Sequence, residues 1–83
     1  MNDVNGIRNL LLEIARHLVD RPDAVTVESM GDEKATLIRL KVGHGEAGKI
    51  IGKQGRMARS IRTILSGISM KMKHRISLDI MEG

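Results

Sequence analysis

The chain has 83 residues, a formal net charge of +4, no cysteine and no aromatic residue. This length predicts one domain, over residues 1–83, and the lack of cysteine excludes a disulfide framework or a cysteine-based metal site. Without aromatic side chains the chain cannot stack nucleobases on Phe, Tyr or Trp, which excludes a binding platform of that kind. No apolar run reaches the roughly 18 residues that a bilayer-spanning helix needs, so we expect a soluble cytoplasmic protein with no membrane partner.

Hydrophobic periodicity predicts six elements in the order helix, strand, strand, short helix, long helix, strand. In chain order these are a helix over residues 6–20, a strand beginning at 25–27, a strand over 36–42, a short helix over 46–51, a long helix over 56–72 and a strand over 76–80. Asp3 or Asn5 would cap the first helix, and Pro22 would end it. The simplest packing is an α+β fold, in which a three-stranded mixed sheet carries three helices on one face. Its second and last strands are parallel and joined by a right-handed crossover.

Positive charge is concentrated in the second part of the sequence. Residues 34–83 hold eleven basic and three acidic residues, whereas residues 1–33 hold three basic and seven acidic ones. Between Ala47 and Leu78 there is no acidic residue, against eight Lys and Arg. A segment of one sign raises a positive potential that attracts polyanions. Charge alone does not separate a nucleic-acid surface from an ordinary solvated basic surface.

Two phosphate-binding motifs overlap between Gly43 and Lys49, and each lacks a residue that its chemistry needs. Gly43-x-Gly45-x-x-Gly48 matches a dinucleotide-binding fingerprint, but the acidic residue that would hold the ribose about 20 positions later is missing. Gly43-x-x-x-x-Gly48-Lys49 matches a nucleotide-binding P-loop, but Ile50 stands where a Ser or Thr hydroxyl would hold magnesium. A small nucleotide-binding enzyme is therefore the least favoured class, and we expect neither catalysis nor a cofactor.

The third glycine motif, Gly52-Lys53-Gln54-Gly55, lies between the short and the long predicted helix. Its two glycines let the backbone turn tightly and approach a phosphodiester, and the first amides of the following helix add positive potential. Lys53 and Arg56 add formal charge, and the segment around them has no acidic residue. A plain helix–turn–helix connection would use the same glycines, but the basic surroundings favour phosphate binding.

The sequence from Ile50 to Arg56, Ile-Ile-Gly-Lys-Gln-Gly-Arg, resembles the I-G-x-x-G core of K homology (KH) domains. The order of elements resembles the type II arrangement, with its extra helix and strand before the core. Residues 48–62 are similar to the small bacterial single-KH RNA-binding proteins of the KhpA type, and the resemblance covers nearly the whole chain. One departure is Ala58, which stands where KH domains often carry a bulky aliphatic residue.

The KH resemblance implies a groove for about four unpaired nucleotides of single-stranded RNA, with the glycine loop clamping the backbone. The residues predicted to bind RNA are Lys49, Ile50, Ile51, Gly52, Lys53, Gln54, Gly55, Arg56 and Arg59, together with Arg39 and Lys41 of the second strand. Ile50 and Ile51 would form the groove floor or pack just beneath it. The Leu37–Lys41 stretch would form the opposite wall.

The KhpA resemblance also implies self-association, and pairing with a larger KH-containing RNA-binding protein. Gly67 lies inside the long helix, where it costs about 1 kcal/mol relative to Ala, and the helix surface near it is a candidate contact. Two functions stay open. One is a post-transcriptional regulator or RNA chaperone that holds single-stranded RNA in the bacterial cytoplasm. The other is an interaction module whose KH fold serves mainly to dimerise with the larger partner.

The remaining polar candidates have ordinary explanations. His17, His44 and His74 lack the spacing of metal ligands and are expected at the surface. Glu46 is expected at the start of the short helix, where the helix dipole would stabilise its negative charge. The six methionines are expected to fill gaps in the core.

Overall fold

The computed structural model describes residues 4–83, and its elements follow the predicted order. The helices and strands are α1 (Val4–Leu18), β1 (Thr26–Gly31), β2 (Ala35–Val42), α2 (Ala47–Ile51), α3 (Arg56–Met72) and β3 (Arg75–Glu82). Two short 3-10 turns, Pro22–Ala24 and Lys53–Gly55, precede β1 and α3. The predicted α-β-β-α-α-β order is confirmed.

The three strands form one mixed sheet in the order β1-β2-β3. β1 runs antiparallel to β2, with Val27 opposite Leu40, and β2 runs parallel to β3, with Ile38 opposite Leu78. The predicted parallel pairing of the second and last strands is confirmed. Because β2 is the central strand, both of its edges are hydrogen-bonded, whereas β1 and β3 each have one edge outside the sheet.

All three helices contribute to one aliphatic core on the same face of the sheet. Alternate residues of the central strand, Ile38 and Leu40, are buried there, because successive side chains of a strand point to opposite faces. The helices add buried side chains to the same cluster, among them Leu11 of α1, Ile50 of α2 and Leu65 of α3. Aliphatic side chains therefore fill the core of this chain without any aromatic residue.

Helix α1 begins and ends two residues earlier than the predicted range. Asn5 lies inside the helix and does not cap it, and the other predicted cap, Asp3, lies outside the described residues. At the other end, the amides of Asp20 and Arg21 donate to the carboxylate of Glu46 instead of continuing the helix. Pro22 therefore does not end α1 directly. It opens the following 3-10 turn, a position that suits its fixed φ.

His74 is buried, so the expectation of a surface histidine is wrong for this residue, whereas His17 and His44 are exposed. Its Nδ1 lies 2.8 Å from the carbonyl oxygen of Glu33, which can only accept, so Nδ1 carries the proton. Its Nε2 lies 2.7 Å from the hydroxyl of Thr36. The side chain thereby joins the α3–β3 connection to the β1–β2 hairpin, a long-range contact that local sequence does not show.

Candidate nucleic-acid interface

The loop between α2 and α3 has a backbone that requires glycine at two positions. Gly52, Gln54 and Gly55 all have positive φ, at 80°, 58° and 75°. A Cβ at Gly52 would lie 2.6 Å from the Cβ of Met57, so a larger residue there would clash as well as strain the backbone. At Gly55 the space is open, and glycine is favoured by φ alone. The loop therefore has the tight, exposed form that the G-x-x-G motif predicted.

The loop presents positive charge to solvent at the start of α3. The side chains of Lys53 and Gln54 are exposed, and Lys53 has no ion-pair partner among residues 4–83. Arg56 donates to the Gln54 side-chain oxygen at 3.0 Å, which holds a second cation beside the turn. No side chain caps the first turn of α3. An uncapped helix N-terminus beside two cations is favourable for an anion such as phosphate.

Two adjacent shallow hollows, which share Ser66, lie along α3 and the edge of β3 next to this loop, and we refer to them together as the α3–β3 trough. Its first half is lined by Gly55, Arg59, Arg62, Thr63 and Ser66. Its second half shares Ser66 and is lined further by Ser69, Met70, Lys73, His74, Arg75, Ile76 and Ser77. The lining holds four Lys and Arg and no acidic residue. α3 has 17 residues and is about 26 Å long, and the two hollows follow it from the loop to its C-terminal end.

Two side chains of α3 bond the free edge of β3 at the base of the trough. The hydroxyl oxygen of Ser69 accepts from the Ile76 amide at 2.9 Å, and Arg62 donates to the Leu78 carbonyl at 3.5 Å. These contacts fix the angle between α3 and the sheet. The strand beside the trough is therefore β3, the edge strand.

The expectation that Leu37–Lys41 forms the opposite wall of the groove stays a prediction, which the geometry of the sheet does not favour. Arg39 and Lys41 alternate with the buried Ile38 and Leu40, so they lie on the face of the sheet that the helices leave uncovered. Arg39 is already bonded to Asp79 at 3.4 Å. An RNA contact by Arg39 or Lys41 stays a prediction, and the geometry does not favour it. Local sequence could not show which of two parallel strands lies at the edge.

The three predicted residues of α2 have different surroundings. Ile50 is only 1% exposed and belongs to the core, so it packs beneath the surface, whereas Ile51 is 39% exposed next to the loop. The Lys49 ammonium donates to Asp20 at 2.9 Å and to Glu46 at 3.4 Å. The hydrogen bond to Asp20 raises the pKa of Lys49 above its ordinary value. Its charge is therefore largely offset, which makes Lys49 a weaker phosphate contact than Lys53.

Glu46 has a structural role that the sequence did not reveal. It stands just before α2, as expected, but its side chain does not cap that helix and is 2% exposed. The carboxylate accepts from the amides of Asp20 and Arg21, at 2.7 and 3.0 Å, and from the Arg21 side chain at 3.1 Å. The Asp20 amide holds the pKa of Glu46 below its ordinary value. A buried acid thus joins the end of α1 to the start of α2.

Acid is expected to destabilise the fold, because three carboxyl groups have lowered pKa values. The causes are backbone amides, first that of Lys34 for Asp32, that of Asp20 for Glu46 and that of Ala47 for Glu82. A group whose pKa is depressed by folding stabilises the protein above its unfolded pKa, and this contribution is lost as pH falls through the folded pKa. The free energy of unfolding should therefore fall as pH drops below the ordinary glutamate pKa of 4.5.

Chemical denaturation at a series of pH values measures this dependence. The Glu46→Gln variant should lose part of the slope in the acid range, because the substituted side chain no longer takes up a proton. The exposed Glu28→Gln variant serves as a control and should keep the slope of the parent. An unchanged slope in Glu46→Gln would remove the buried carboxylate from this account.

A three-stranded mixed sheet with three helices on one face, and a G-x-x-G loop between the second and third helices, defines a KH domain of type II. The chain belongs to the KhpA/KhpB family, because the family's sequence model, that of the KhpA/KhpB KH domain, matches residues 8–80. The predicted resemblance and fold class are confirmed. The family is one of KH-domain proteins and not of enzymes, in agreement with the sequence-based expectation.

Curated relatives match the chain over nearly its whole length. The protein named RNA-binding protein KhpA from Aquifex aeolicus is 42% identical over 95% of this chain and 100% of its own. Proteins of the same name from Borreliella burgdorferi and Caldanaerobacter subterraneus are 41% and 44% identical, over 99% and 86% of this chain and 100% and 95% of their own. No solved structure matches the chain.

Two kinds of feature are absent from the described part of the chain. Within residues 4–83 no group of three or more His, Asp or Glu side chains is placed to hold a metal ion. None of the helices in the same range is long and apolar enough to span a bilayer.

Proposed function

We propose that this protein binds single-stranded RNA as one KH domain over residues 1–83, with the Gly52–Gly55 loop on the phosphodiester backbone. The observation that carries the proposal is the continuity of the exposed, uncapped loop with a basic trough that has no acidic lining residue. The relatives named RNA-binding protein KhpA support the same ligand class.

The geometry also supports different roles for the basic residues along the bound RNA. Lys53, Arg56 and the first amides of α3 hold a phosphate at the loop, and Arg59 and Arg62 follow further along the trough. About four nucleotides occupy a KH groove, and an α3 of this length accommodates them. Bases rest on aliphatic side chains such as Ile51 and on guanidinium planes, because the chain has no aromatic residue.

This mode of binding favours many RNA targets over one sequence. Contacts to phosphates position a nucleic acid but do not distinguish bases. The cations of the loop and the trough, such as Lys53 and Arg59, are suited to such contacts. A protein of this kind acts as a post-transcriptional regulator or RNA chaperone in the cytoplasm, where it holds unpaired segments.

RNA affinity is expected to fall steeply as salt rises. Each phosphate contact by a Lys or Arg releases counterions, so the logarithm of the binding constant should fall with the logarithm of salt concentration by about 0.7 per contact for a single strand. Fluorescence anisotropy with a short labelled single-stranded RNA, titrated at several salt concentrations, gives the slope. A duplex of the same sequence serves as the comparison and should bind more weakly. A flat salt response would exclude the basic trough from binding.

We also propose that the chain forms a homodimer or a heterodimer with a larger KH-containing RNA-binding protein. The observation that favours an interface is a large apolar side chain exposed on α3, next to a glycine. Ile64 is 62% exposed, and Gly67 follows it almost one turn later. A Cβ at Gly67 would meet nothing within 4 Å, so glycine is not needed there for packing within the chain. Protein interaction as the main function is the second candidate, and it depends on this surface.

Self-association is expected to be lost in an Ile64→Asp variant, because a carboxylate would replace the exposed apolar side chain of the proposed interface. Sedimentation velocity over a concentration series measures the monomer–dimer equilibrium. Met30→Asp is a matched control, since Met30 is 39% exposed on the uncovered face of the sheet. If parent and Ile64→Asp dimerise equally, or if the parent stays monomeric at high micromolar concentration without a cellular partner, the proposed interface fails.

A further inference from the structure

Helix α2 carries the glycine loop but has few means of holding its own orientation. It has only five residues, Ala47–Ile51, and Gly52 follows directly. Isolated helices of this length are not stable in water, so contacts outside the helix must fix it. Ile50 is its one fully buried side chain. If Ile50 were the one contact, α2 could rotate about that side chain. The glycine loop begins two residues after Ile50 and would move with the helix.

Two carboxylates connect the start of α2 to other parts of the chain. Glu46 lies directly before the helix, and its carboxylate is bonded to the segment that follows α1, through the amides of Asp20 and Arg21. Glu82, at the end of β3, accepts from the Ala47 amide at 2.9 Å. The two acids therefore tie the N-terminal end of α2 to α1 and to the sheet.

The hydrogen bonds of Glu46 are formed by a charged group in a buried site. The carboxylate is almost fully buried and accepts from two amides, the Arg21 guanidinium and the Lys49 ammonium. Hydrogen bonds to a charged group contribute more than neutral ones, and leaving such partners unsatisfied in a buried site is costly. Arg21 also donates to the His44 carbonyl, so the segment between β2 and α2 is held by the same cluster.

We infer that Glu46 and Glu82 are positioning residues for the glycine loop, which hold α2 in the orientation that orders Gly52–Gly55 for the phosphodiester backbone. Neither side chain contacts the loop itself. Their effect passes through α2, whose N-terminal end they fix while Ile50 fixes its middle. The ordering of the loop follows from the structure, and its consequence for RNA rests on the proposed function.

For Glu46 and Glu82, the effect of lost positioning on RNA affinity and the effect of changed net charge have opposite signs. Removing a carboxylate makes the protein more positive, and this change alone should strengthen RNA binding. Loss of positioning should weaken it. For Glu46→Gln we expect RNA affinity to fall about tenfold, because the Gln amide NH₂ would face donors that the carboxylate accepted from. For Glu82→Gln, whose side chain is 34% exposed, we expect a smaller loss with the fold retained.

The test combines amide hydrogen exchange of the free protein with RNA affinity, in the parent, Glu46→Gln, Glu82→Gln and the control Glu28→Gln. The amides to follow are those of Gly52 and Gly55, which are bonded to the Gly48 and Gly52 carbonyls at 2.9 and 3.1 Å. Both should exchange faster in the Glu46 and Glu82 variants. Glu28→Gln makes the same charge change on an exposed strand position, and should leave exchange unchanged and RNA affinity equal or slightly higher.

Hydrogen exchange tests the positioning inference, and RNA affinity tests the proposed clamp. If loop exchange is unchanged in both Glu46→Gln and Glu82→Gln, the positioning inference is overturned, whatever the RNA affinity. If exchange accelerates while affinity holds, the two acids do order the loop, and it is the proposed clamp that fails. Faster exchange together with weaker binding supports both. Because Glu82 is not fully buried, its variant keeps the test valid if Glu46→Gln does not fold.

Discussion

Replacing Lys53 and Gln54 together with aspartate is expected to abolish RNA binding and leave the fold intact. Both side chains are exposed, and surface changes usually alter stability by under about 0.5 kcal/mol. Gln54 has φ 58°, a region that aspartate tolerates better than most residues. Two carboxylates would then face the phosphodiester, and they would offset the positive end of α3. Thermal unfolding and an RNA-binding assay on the same variant separate folding from function.

A charge-matched control makes this experiment specific to the loop. The double variant Asn9→Asp, Lys34→Asp makes the same change in net charge at exposed positions of α1 and the β1–β2 turn. It should retain most of the parent's affinity. If the loop variant stays folded and binds RNA as well as this control, the glycine loop is not the clamp, and the interaction-module function should replace RNA binding as the main proposal.

A second large effect is expected from removing charge in the trough instead of on the opposite face of the sheet. The variant Arg59→Gln, Arg62→Gln should bind RNA at least tenfold more weakly, and its salt slope should be smaller by about 1.4, the value for two lost phosphate contacts. The variant Arg39→Gln, Lys41→Gln removes the same charge from the uncovered sheet face. It should keep the parent's salt slope, because under the proposed function neither residue contacts a phosphate.

This pair of variants decides between two positions of the binding surface. The sequence placed Arg39 and Lys41 in the groove wall, whereas the structure places them on the far side of the sheet, where Asp79 pairs with Arg39. Equal losses in the two variants would mean that net charge alone drives binding. A larger loss in the Arg39 and Lys41 variant would return the groove to the second strand.

Much of the fold could be predicted because local pattern and tertiary packing agree in this chain. Alternation over residues 36–42 and helical spacing over 56–72 identify elements whose buried sides are those the structure buries. The end of α1 was predicted less well, because a distant carboxylate, Glu46, binds the amides of Asp20 and Arg21. Helix periodicity does not register a partner 25 or 26 residues away.

The candidate site, like the fold, could be predicted from the sequence only in part. The glycine loop could be predicted, because its φ values and its position between two helices are local properties of Gly52–Gly55. The trough could not, since it depends on which strand is at the edge of the sheet. The role of Glu46 was also missed, because its partners lie on another helix. A signal was present in the sequence: one acid precedes a long segment that otherwise holds none.

The distribution of charge gives the protein two different sides. The trough along α3 and β3 is lined by four Lys and Arg and by no acidic residue, whereas Asp23 and Glu28 lie before and on β1, at the opposite edge of the sheet. Under the proposed function, an RNA strand should be attracted to the first side and repelled by the second. RNA is then expected along one edge of the domain, and Ile64 and Gly67 lie elsewhere on α3.

The most direct test of the central claim is an NMR titration of the folded protein with a short single-stranded RNA, following every backbone amide. Chemical-shift changes are expected to concentrate at Gly52–Gly55 and to continue along the trough side of α3, through Arg59, Arg62 and Ser66. The amides of β1 should stay largely unchanged. Changes centred on β1 or on the uncovered face of the sheet, with the glycine loop unaffected at saturation, would contradict the claim.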